Sequence, residues 1–296
     1  MQYLIDASVY VFRAHFSMPD DMVDGDGNPV NALYGYCRFL GDFMERVNPE
    51  FVAVLFDESL TTSFRAEIYP KYKANREPAP VELKRQFEQC RRFTRALGIM
   101  ECACPRYEAD DLIGTLVEHG RRRGRASTIV TRDKDLAQLV SEADVFWDIA
   151  GRGKIGYQQI PETFGVWPEQ IADFLALAGD SVDNIPGVRG VGKKTATALL
   201  QHFGSLEKIY ANLDKVHEVT VRGAKTLGAK LELHKDDAML ARRLTGIACD
   251  VPIDHPATGM RPTPPKLGDI NALFDEAGIG TALRRQAERV SDLRHG

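Results

Sequence analysis

Short apolar runs alternate with amphipathic segments along the first half of the chain. The apolar runs lie at 3–5, 51–56, 127–130 and 145–147. Because these runs are apolar throughout, they predict strands that are buried on both faces of a parallel sheet. Helical patterns lie between them, at 31–47, 82–97, 109–122 and 135–141. The alternation predicts a right-handed α/β domain built on a parallel sheet.

The pattern becomes all-helical after about residue 160. One helix is predicted from Trp167-Pro168 to Gly179, and further helices follow a glycine-rich turn at 187–195. A run of prolines predicts an extended connection over 252–266, before a short terminal helix at 269–293 (Pro252, Pro256, Pro262, Pro264 and Pro265). At the other end, residues 1–12 read as a buried strand with Asp6 inside it. We therefore expect an α/β domain at 1–165, a helical subdomain at 166–265 and a C-terminal helical extension at 266–296.

Acidic residues follow the ends of three predicted strands. Asp6 and Asp57 each end an apolar run, and Asp133 and Asp135 follow a third. Ligands of open α/β sheets bind outside the carboxyl ends of the strands, so these side chains can share one edge of the sheet. An aspartate after a strand can also simply form a turn.

Five more acids lie at expected helix ends. If a helix begins near Ala109, Glu108 and Asp111 share one face with Asp110 beside them; Asp180 and Asp183 are again three apart. Acids in a first helical turn also favour the helix dipole, which alone can account for Asp110 and Asp111. Nine carboxylates in one place repel each other unless divalent cations neutralise them, and all-oxygen sites suit Mg²⁺ or Mn²⁺. Two such ions can clamp the attacking and leaving oxygens of a phosphodiester.

The glycine-rich turn GVRGVGKKT at 187–195 nearly spells a phosphate-binding P-loop. The pattern fails at Lys194, where Ser or Thr must hold Mg²⁺, and no strand precedes the turn. A helix-hairpin-helix turn explains it better, because its amides at 190–195 can face a phosphate at a helix N-terminus. Arg189, Lys193 and Lys194 would add charge without reading bases. A plain turn between two helices is the alternative.

Composition supports a globular protein and excludes several classes. The chain has 296 residues, of which 44% are hydrophobic and 27% charged, which argues against a mostly disordered chain. There is no apolar run long enough to span a membrane and no signal-peptide pattern, so we expect a cytoplasmic protein, associated with the nucleoid by function.

The five cysteines lack zinc-finger spacing, and Cys102 and Cys104 receive no role. The run from Asp24 to Asn28 departs from the calcium-binding loop pattern at Pro29 and Gly35 and predicts a surface turn.

The charge distribution is more informative than the total. A net charge of −4 is unusual for a nucleic-acid binder. Residues 64–95 nevertheless hold nine Lys or Arg against four acids. If metal ions neutralise the acids described above, the remaining surface can be positive. A solvated basic helix is the plainer interpretation of this segment.

Together these motifs resemble the 5′-nuclease family of flap-endonuclease-like 5′→3′ exonucleases, most closely the N-terminal nuclease domain of bacterial DNA polymerase I and its stand-alone relatives. The likeness covers nearly the whole chain, and because no polymerase-like sequence follows, we expect the stand-alone form. The segments that carry it are LIDAS (4–8), GNPVNALYGY (27–36), LFDES (55–59), SFRAEIYPKYKANR (63–76), YEADD (107–111), TRDKDLAQL (131–139) and LAGDSVDNIPGVRGVGKKTA (177–196).

The resemblance implies a PIN-like parallel-sheet domain with a helical arch at about 64–95 and a helix-three-turn-helix element at about 167–205. It implies two ions, Mg²⁺ or Mn²⁺, in two groups of ligands. The first group is Asp6, Asp57, Glu108 and Asp110, and the second is Asp111, Asp133, Asp135, Asp180 and Asp183.

For DNA, the resemblance implies that a 5′ single strand passes the arch, where Lys73 and Arg76 steer the scissile phosphate and Tyr72 stacks on a base. Duplex binding falls to the hairpin, through Arg189, Gly190, Val191, Gly192, Lys193, Lys194 and Thr195. A K⁺ ion is implied at the backbone carbonyls of Leu177, Ala178, Pro186, Val188 and Val191.

The expected function is a metal-dependent 5′-nuclease that leaves 5′-phosphate and 3′-hydroxyl ends in DNA replication and repair. The expected partner is DNA with a 5′ flap or a 5′ end at a duplex junction; we expect a monomer, to which a DNA polymerase acting in trans is a candidate partner. A PIN-type ribonuclease would explain the α/β half but neither the arch nor 167–205. A non-catalytic junction binder would be expected to lack some acids, and none is lacking.

Overall fold

We analysed a computed structural model of the chain, which describes residues 1–58, 62–253 and 257–295. Its internal contacts divide the chain into two compact units. Unit 1 comprises Met1–Glu58, Pro78–Arg132 and Ala248–Gly296, and unit 2 comprises Ser59–Glu77 and Asp133–Ile247. Ser59 of the LFDES segment and Pro256 of the proline-rich connection lie outside the described residues.

Unit 1 contains a parallel sheet with helices connecting its strands. Its strands are β1 (Gln2–Asp6), β2 (Val52–Asp57), β3 (Met100–Cys104) and β4 (Ser127–Val130). Its helices are α1 (Ala7–Ser17), α2 (Asn31–Val47), α4 (Val81–Ala96), α5 (Ala109–Arg121), α12 (Leu267–Glu276) and α13 (Thr281–His295). The strands pair in the order β3-β2-β1-β4, all parallel, which confirms the predicted sheet. The apolar strand residues are buried on both faces, as continuous apolar runs require (Leu4, Ile5, Val54, Leu55, Phe56, Ile129 and Val130).

Strand register brings the acids to one edge of the sheet in unit 1. Asp6 is aligned with Leu55 of β2, and Ile5 with Val130 of β4. Asp57 therefore ends β2 two residues beyond the level of Asp6, on the neighbouring strand. The carboxyl ends of β1 and β2 thus hold one aspartate each, as the sequence predicts.

The prediction of a single strand over residues 1–12 was wrong, because β1 ends at Asp6 and α1 begins at Ala7. Valines and aromatics in this stretch resemble a strand, yet the buried positions follow helical spacing (Ala7, Tyr10, Val11 and Ala14). Burial of one helical face decides the conformation here against the weak strand preference of the side chains.

Unit 2 is mainly helical. Its helices are α3 (Phe64–Ile68), α6 (Ile160–Phe164), α7 (Ile171–Ala178), α8 (Lys193–Phe203), α9 (Leu206–Ala211), α10 (Ala224–Leu233) and α11 (Lys235–Thr245). Strands β5 (Val145–Asp148) and β6 (Gly153–Gly156) pair in an antiparallel hairpin. The predicted helical pattern at 135–141 is a 3₁₀ helix at Lys134–Leu139. The change to helices after about residue 160 is confirmed.

Polar side chains tie the segments of unit 2 together. Arg65 is almost fully buried, and its guanidinium donates to the carbonyl oxygens of Leu244 (2.8 Å) and Gly246 (2.9 Å) at the end of α11. Asp173 of α7 accepts from the Arg242 guanidinium of α11 and from the Leu206 amide at 3.0 Å. These contacts explain why residues 62–77 pack with a helical region that lies far along the chain.

Several element boundaries differ from the predictions. The terminal helix expected at 269–293 is two helices, α12 and α13, separated at Gly278, whose φ is +63°. The extended connection at 252–266 includes a short 3₁₀ helix at Ala257–Met260. Strands β3 and β6 are absent from the predicted strands. The Asp24 turn is confirmed, since one Asp24 oxygen accepts from the amides of Asp26 and Asn28.

In the described ranges, no helix combines the length and the apolar character that a membrane crossing needs. The predicted domains, divided at 165 and 265, are continuous stretches of sequence, whereas each compact unit is assembled from segments that are separated in sequence. That division stays a prediction.

Candidate metal centre and nucleic-acid interface

Hydroxyl and amide groups orient the two strand-end aspartates of unit 1. The Thr131 hydroxyl donates to Asp6 Oδ2 at 2.8 Å. The Ser8 hydroxyl donates to Asp57 Oδ2 at 2.8 Å, and the Ala109 amide donates to Asp57 Oδ1 at 2.9 Å. Asp57 is thereby joined to the first turn of α5. The sequence does not single out Ser8 or Thr131, although both lie within the quoted segments, because a hydroxyl that orients a carboxylate looks like any other Ser or Thr in sequence.

The first turn of α5 carries three acids with different surroundings. Glu108 precedes the helix, and its amide donates to Asp111 Oδ2 at 3.1 Å. Asp111 Oδ1 accepts from the Ala248 amide at 2.9 Å, and Asp111 is fully buried. Asp110, between them, is only half-buried. The expected start of the helix at Ala109 is confirmed, and the contacts of Asp111 favour a role in holding the site together.

Unit 2 holds a second group of acids around the 3₁₀ helix at Lys134–Leu139. Asp133 precedes this helix, and its Oδ1 accepts from the Asp135 amide at 2.9 Å. Burial raises the pKa of Asp133 above its usual value. Burial and the neighbouring Asp133 raise the pKa of Asp135 to about 7, with Asp180 and Asp183 adding to the effect. These acids repel each other, which is the expected signature of a site built for a cation.

Asp180 and Asp183 sit on a tight turn after α7. Asp180 and Ile185 form an antiparallel bridge with amide-to-carbonyl bonds of 3.0 and 2.7 Å. Asp180 Oδ1 accepts from the Val182 amide at 2.8 Å, and its Oδ2 lies 3.5 Å from the Lys134 ammonium. The turn therefore fixes the backbone of both acids.

The donor set fits a divalent cation. Each group consists of carboxylates, the ligands that Mg²⁺ and Mn²⁺ prefer. In unit 2, burial and repulsion by neighbouring acids raise the pKa of Asp135, and the Lys134 ammonium lies 3.6 Å from its Oδ1. Across the described ranges, however, no three His, Cys, Asp or Glu side chains converge on one ion position.

Three residues of the predicted arch contact Asp183. The Tyr72 hydroxyl donates to Asp183 Oδ2 at 3.3 Å, the Lys73 ammonium lies 3.8 Å from the same oxygen, and the Arg76 guanidinium pairs with Oδ1. The Lys73 amide also donates to the Asp183 carbonyl at 2.9 Å, in the left-handed conformation with φ of +53°. This turn therefore presents all three side chains to one of the predicted metal ligands.

The remaining cations of the predicted arch are mostly paired within unit 1. Four arginines of α4 pair with acids: Arg85 with Asp24, Arg91 with Glu88 and Glu101, Arg92 with Glu276, and Arg95 with Glu88 and Glu101. Arg85 also donates to the Pro29 carbonyl at 3.0 Å. The buried face of α4 includes Leu83, Cys90 and Phe93. Neighbouring acids of unit 1 therefore balance much of the basic character of 84–95.

Close backbone contact shapes the glycine hairpin of unit 2. A Cβ at Gly187 would lie 2.2 Å from the Gly179 amide nitrogen, so the backbone at 187 packs directly against the backbone at 179. Gly190 has a φ of +84°, which favours glycine. The Val188 amide donates to the Leu177 carbonyl and the Val191 amide to the Val188 carbonyl, both at 2.9 Å. The carbonyl oxygens of Leu177 and Val188, which are predicted K⁺ ligands, each accept one of these bonds, and a carbonyl oxygen has a second lone pair with which it can bind an ion.

The outer side of the hairpin is exposed and basic. Helix α8 begins at Lys193, directly after Gly192. Arg189, Lys193 and Lys194 are exposed, and none forms an ion pair with any residue that the structure describes. Unpaired cations beside a helix N-terminus form a surface that suits phosphate groups.

Both halves of the chain match known families. Residues 1–165 match the family described as 5′-3′ exonuclease, N-terminal resolvase-like domain, and residues 166–267 match 5′-3′ exonuclease, C-terminal SAM fold. The chain is 33% identical over 252 residues to a 5′-3′ exonuclease of Buchnera aphidicola, covering 85% of this chain and 87% of that protein. It is 40% identical over 274 residues to DNA polymerase I of Pseudomonas aeruginosa, covering 92% of this chain and 30% of that protein.

The fold is also that of a solved structure with low sequence identity. The flap endonuclease of bacteriophage T5, in a pseudo-enzyme-product complex with DNA and metal ions, aligns with a TM-score of 0.65 and 18% identity, covering 100% of this chain and 99% of that one. A parallel α/β region with acids at its strand ends, joined in sequence to a helical region with a glycine hairpin, defines an α/β nuclease. The chain belongs to the 5′-3′ exonuclease family. It spans about a third of the length of its DNA polymerase I relatives.

Proposed function

We propose that the protein is a metal-dependent, structure-specific 5′-nuclease that hydrolyses DNA phosphodiesters in replication and repair. The observation that carries the proposal is the pair of strand-end aspartates, Asp6 and Asp57, each oriented by a hydroxyl donor at the carboxyl edge of the parallel sheet. In α/β proteins this edge is where ligands bind. Membership of the 5′-3′ exonuclease family supports the reaction type.

We assign eight of the nine acids to two metal ions as the resemblance implies. The ninth, Asp111, which the resemblance places in the second group, receives a structural role instead, because amides donate to both of its carboxylate oxygens. Unit 1 supplies Asp6, Asp57, Glu108 and Asp110, and unit 2 supplies Asp133, Asp135, Asp180 and Asp183, with Asp111 holding α5 and the Ala248 amide in place. Divalent ions bound there would supply Lewis acidity for activating water and for stabilising the 3′-oxygen that leaves. The products would be 5′-phosphate and 3′-hydroxyl ends.

When DNA binds, the Lys73 and Arg76 side chains would leave the Asp183 carboxylate and bind the scissile phosphate. Both now contact Asp183. A scissile phosphate carries the same kind of oxygen acceptors, and Arg binds it in a bidentate manner. These two cations would therefore orient the DNA backbone. Tyr72 is almost fully buried, which argues against the stacking on a base that the resemblance implies; its ring lies 5.0 Å from the Lys73 ammonium and would position that cation instead.

The hairpin would hold the duplex part of the substrate. Its exposed cations, together with the amides of 190–195, bind phosphates without reading sequence. This agrees with a substrate defined by its structure, such as a 5′ flap or a 5′ end at a junction. The T5 relative is described in complex with DNA and metal ions. A K⁺ ion at the carbonyls of Leu177, Ala178, Pro186, Val188 and Val191 would stabilise the same turn.

Cleavage of a labelled 5′-flap duplex tests the proposal. We expect cutting near the junction in Mg²⁺ or Mn²⁺, none in EDTA, and none by Asp133→Ala. The matched control is Asp26→Ala, which removes an exposed acid of the Asp24 turn and should leave cleavage unchanged.

The same assay separates the rival functions. Tight flap binding that survives EDTA, without cutting under any metal condition, would establish the non-catalytic junction binder. Preferential cutting of single-stranded RNA over the DNA flap would establish the PIN-type ribonuclease. Absence of both binding and cutting would overturn the proposed function altogether.

A further inference from the structure

Lys134 lies between two acids of the second group. Its ammonium is 3.6 Å from Asp135 Oδ1 and 3.5 Å from Asp180 Oδ2. These distances place one positive charge against two carboxylates that belong to different turns of unit 2. The side chain is about half exposed, with a relative accessibility of 45%, so water can solvate its ammonium when it leaves this position.

The surroundings of Lys134 explain why a cation is favoured there. Asp133, Asp180 and Asp183 lie close to Asp135, and the four carboxylates repel one another. Asp135 Oδ1 is buried and makes no hydrogen bond, which leaves the Lys134 ammonium as the positive charge near it among the described residues. Lys73 and Arg76 pair with Asp183.

We propose that Lys134 is the built-in counter-cation of Asp135 and Asp180, and that a divalent ion binding these carboxylates competes with it. The inference rests on the proposed function, because it takes the two acids as metal ligands. Lys134 is then a positioning residue, which holds the acids in place before the ion binds and moves away when it does.

Removal of this charge has two opposite consequences. Without the ion, the acids lose an attractive partner and repel each other more strongly, so the protein becomes less stable. With the ion, no ammonium opposes the divalent charge, so the metal binds more tightly. A lysine with only a surface role would produce neither effect, and one that served only the fold would produce only the first.

The test compares Lys134→Met, Lys134→Arg and wild type by thermal unfolding in EDTA and by Mn²⁺ titration, followed by calorimetry or by the paramagnetic signal of free Mn²⁺. We expect Lys134→Met to unfold a few degrees lower in EDTA and to bind Mn²⁺ about tenfold more tightly, as loss of one nearby charge implies. Lys134→Arg keeps the charge and should restore both values. The control is Lys154→Met, since the Lys154 ammonium lies 4.3 Å from the centre of the Trp147 ring.

Repeating the titration in an Asp135→Asn background assigns the effect to this group of acids. There Lys134→Met should change Mn²⁺ affinity less than it does in the wild-type background, because Asp180 is then the one carboxylate of the pair left beside the ammonium. Equal Mn²⁺ affinity of wild type and Lys134→Met, both folded, would overturn the inference and leave the nuclease proposal intact. Failure of wild type to bind Mn²⁺ at all would instead sink the proposed metal site itself. If Lys134→Met does not fold, Lys134→Gln is judged by the same criteria.

Discussion

Neighbouring residues of the same type perform different tasks in this protein. Asp110 and Asp111 are adjacent acids at the start of α5, but Asp111 is fully buried with an amide donor on each oxygen. Asp110 is half-buried at the same helix end. The difference arises because successive helical positions point about 100° apart, so only Asp111 faces the Ala248 backbone.

The two aspartates can be separated by matched substitutions. Asp111→Asn replaces one acceptor oxygen with an NH₂ group that faces an amide donor, so we expect it to lower the free energy of unfolding by about 2–3 kcal/mol. Asp110→Asn should change stability little and weaken Mn²⁺ binding. Urea unfolding and Mn²⁺ titration of both variants provide the measurement. Equal loss of stability in the two variants would contradict the distinct roles.

Lys73 provides a second prediction at the scale of one residue. Removing it with Lys73→Ala takes away a cation that we place on the scissile phosphate, so flap cleavage should fall about a hundredfold. Duplex affinity should change little, because the hairpin supplies most of the phosphate contacts. The control is the exposed Lys71→Ala, two positions away. Single-turnover cleavage and a binding assay in EDTA distinguish the two effects; a loss confined to binding would refute this role.

At the scale of elements, turns carry more of the functional surface than helices do. Lys73 and Arg76 of the turn at Tyr72–Arg76 pair with Asp183, one of the predicted metal ligands, and the hairpin at 187–195 exposes its cations to solvent. The arginines of α4 pair instead with acids that have no predicted role in the site. Helix α4 is basic because its charged face contacts acidic neighbours in unit 1. Its composition alone could not distinguish this arrangement from a free basic surface.

The hairpin gives a prediction that depends on backbone contact. Gly187→Ala would place a Cβ 2.2 Å from the Gly179 nitrogen, so the turn must open, at a cost of about 2–3 kcal/mol, and duplex binding should fall. Gly192→Ala meets no atom within 4 Å and lies at an ordinary φ of −97°, so it should unfold like wild type. Thermal unfolding with duplex binding tests both; normal stability of Gly187→Ala would show that the turn has more room than described.

At the scale of the whole molecule, the net charge is a poor guide to the charge of the surface that would bind DNA. The chain carries a charge of −4, but part of the negative charge comes from the two groups of acids that we propose bind metal ions, and many surface arginines are already paired. The exposed cations of the hairpin then matter more than the total. Association with DNA should therefore depend strongly on salt in spite of the acidic average.

Salt dependence measures this contribution directly. The triple variant Arg189→Met, Lys193→Met and Lys194→Met should reduce the slope of log affinity against log salt by about 2–3, because each phosphate contact contributes about 0.9. Lys215→Met removes an exposed charge whose ammonium lies 3.4 Å from Asn212 Oδ1, and it serves as the control. Binding of a blunt duplex in EDTA over a salt series is the measurement; an unchanged slope would exclude the hairpin from phosphate contact.

The sequence by itself determined the α/β class, the parallel strands, the later helices and the acids at the strand and helix ends. These features are local. Apolar runs, helical periods and the acids beside them can each be recognised from a short stretch of sequence. Helix α1 was missed because its aromatic and β-branched residues obscure the helical period, and strand β3 because its apolar run is interrupted by Glu101.

Only the tertiary structure decided which charged residues have partners. Arg85 forms an ion pair with Asp24, 61 residues away along the chain, and Lys134 forms one with Asp180, 46 residues away. The same holds for Thr131 at Asp6 and for the Ala248 amide at Asp111. A charge that is paired and a charge that is free look alike in sequence, because electrostatic pairing depends on distance in space, which folding sets between residues that the chain keeps far apart.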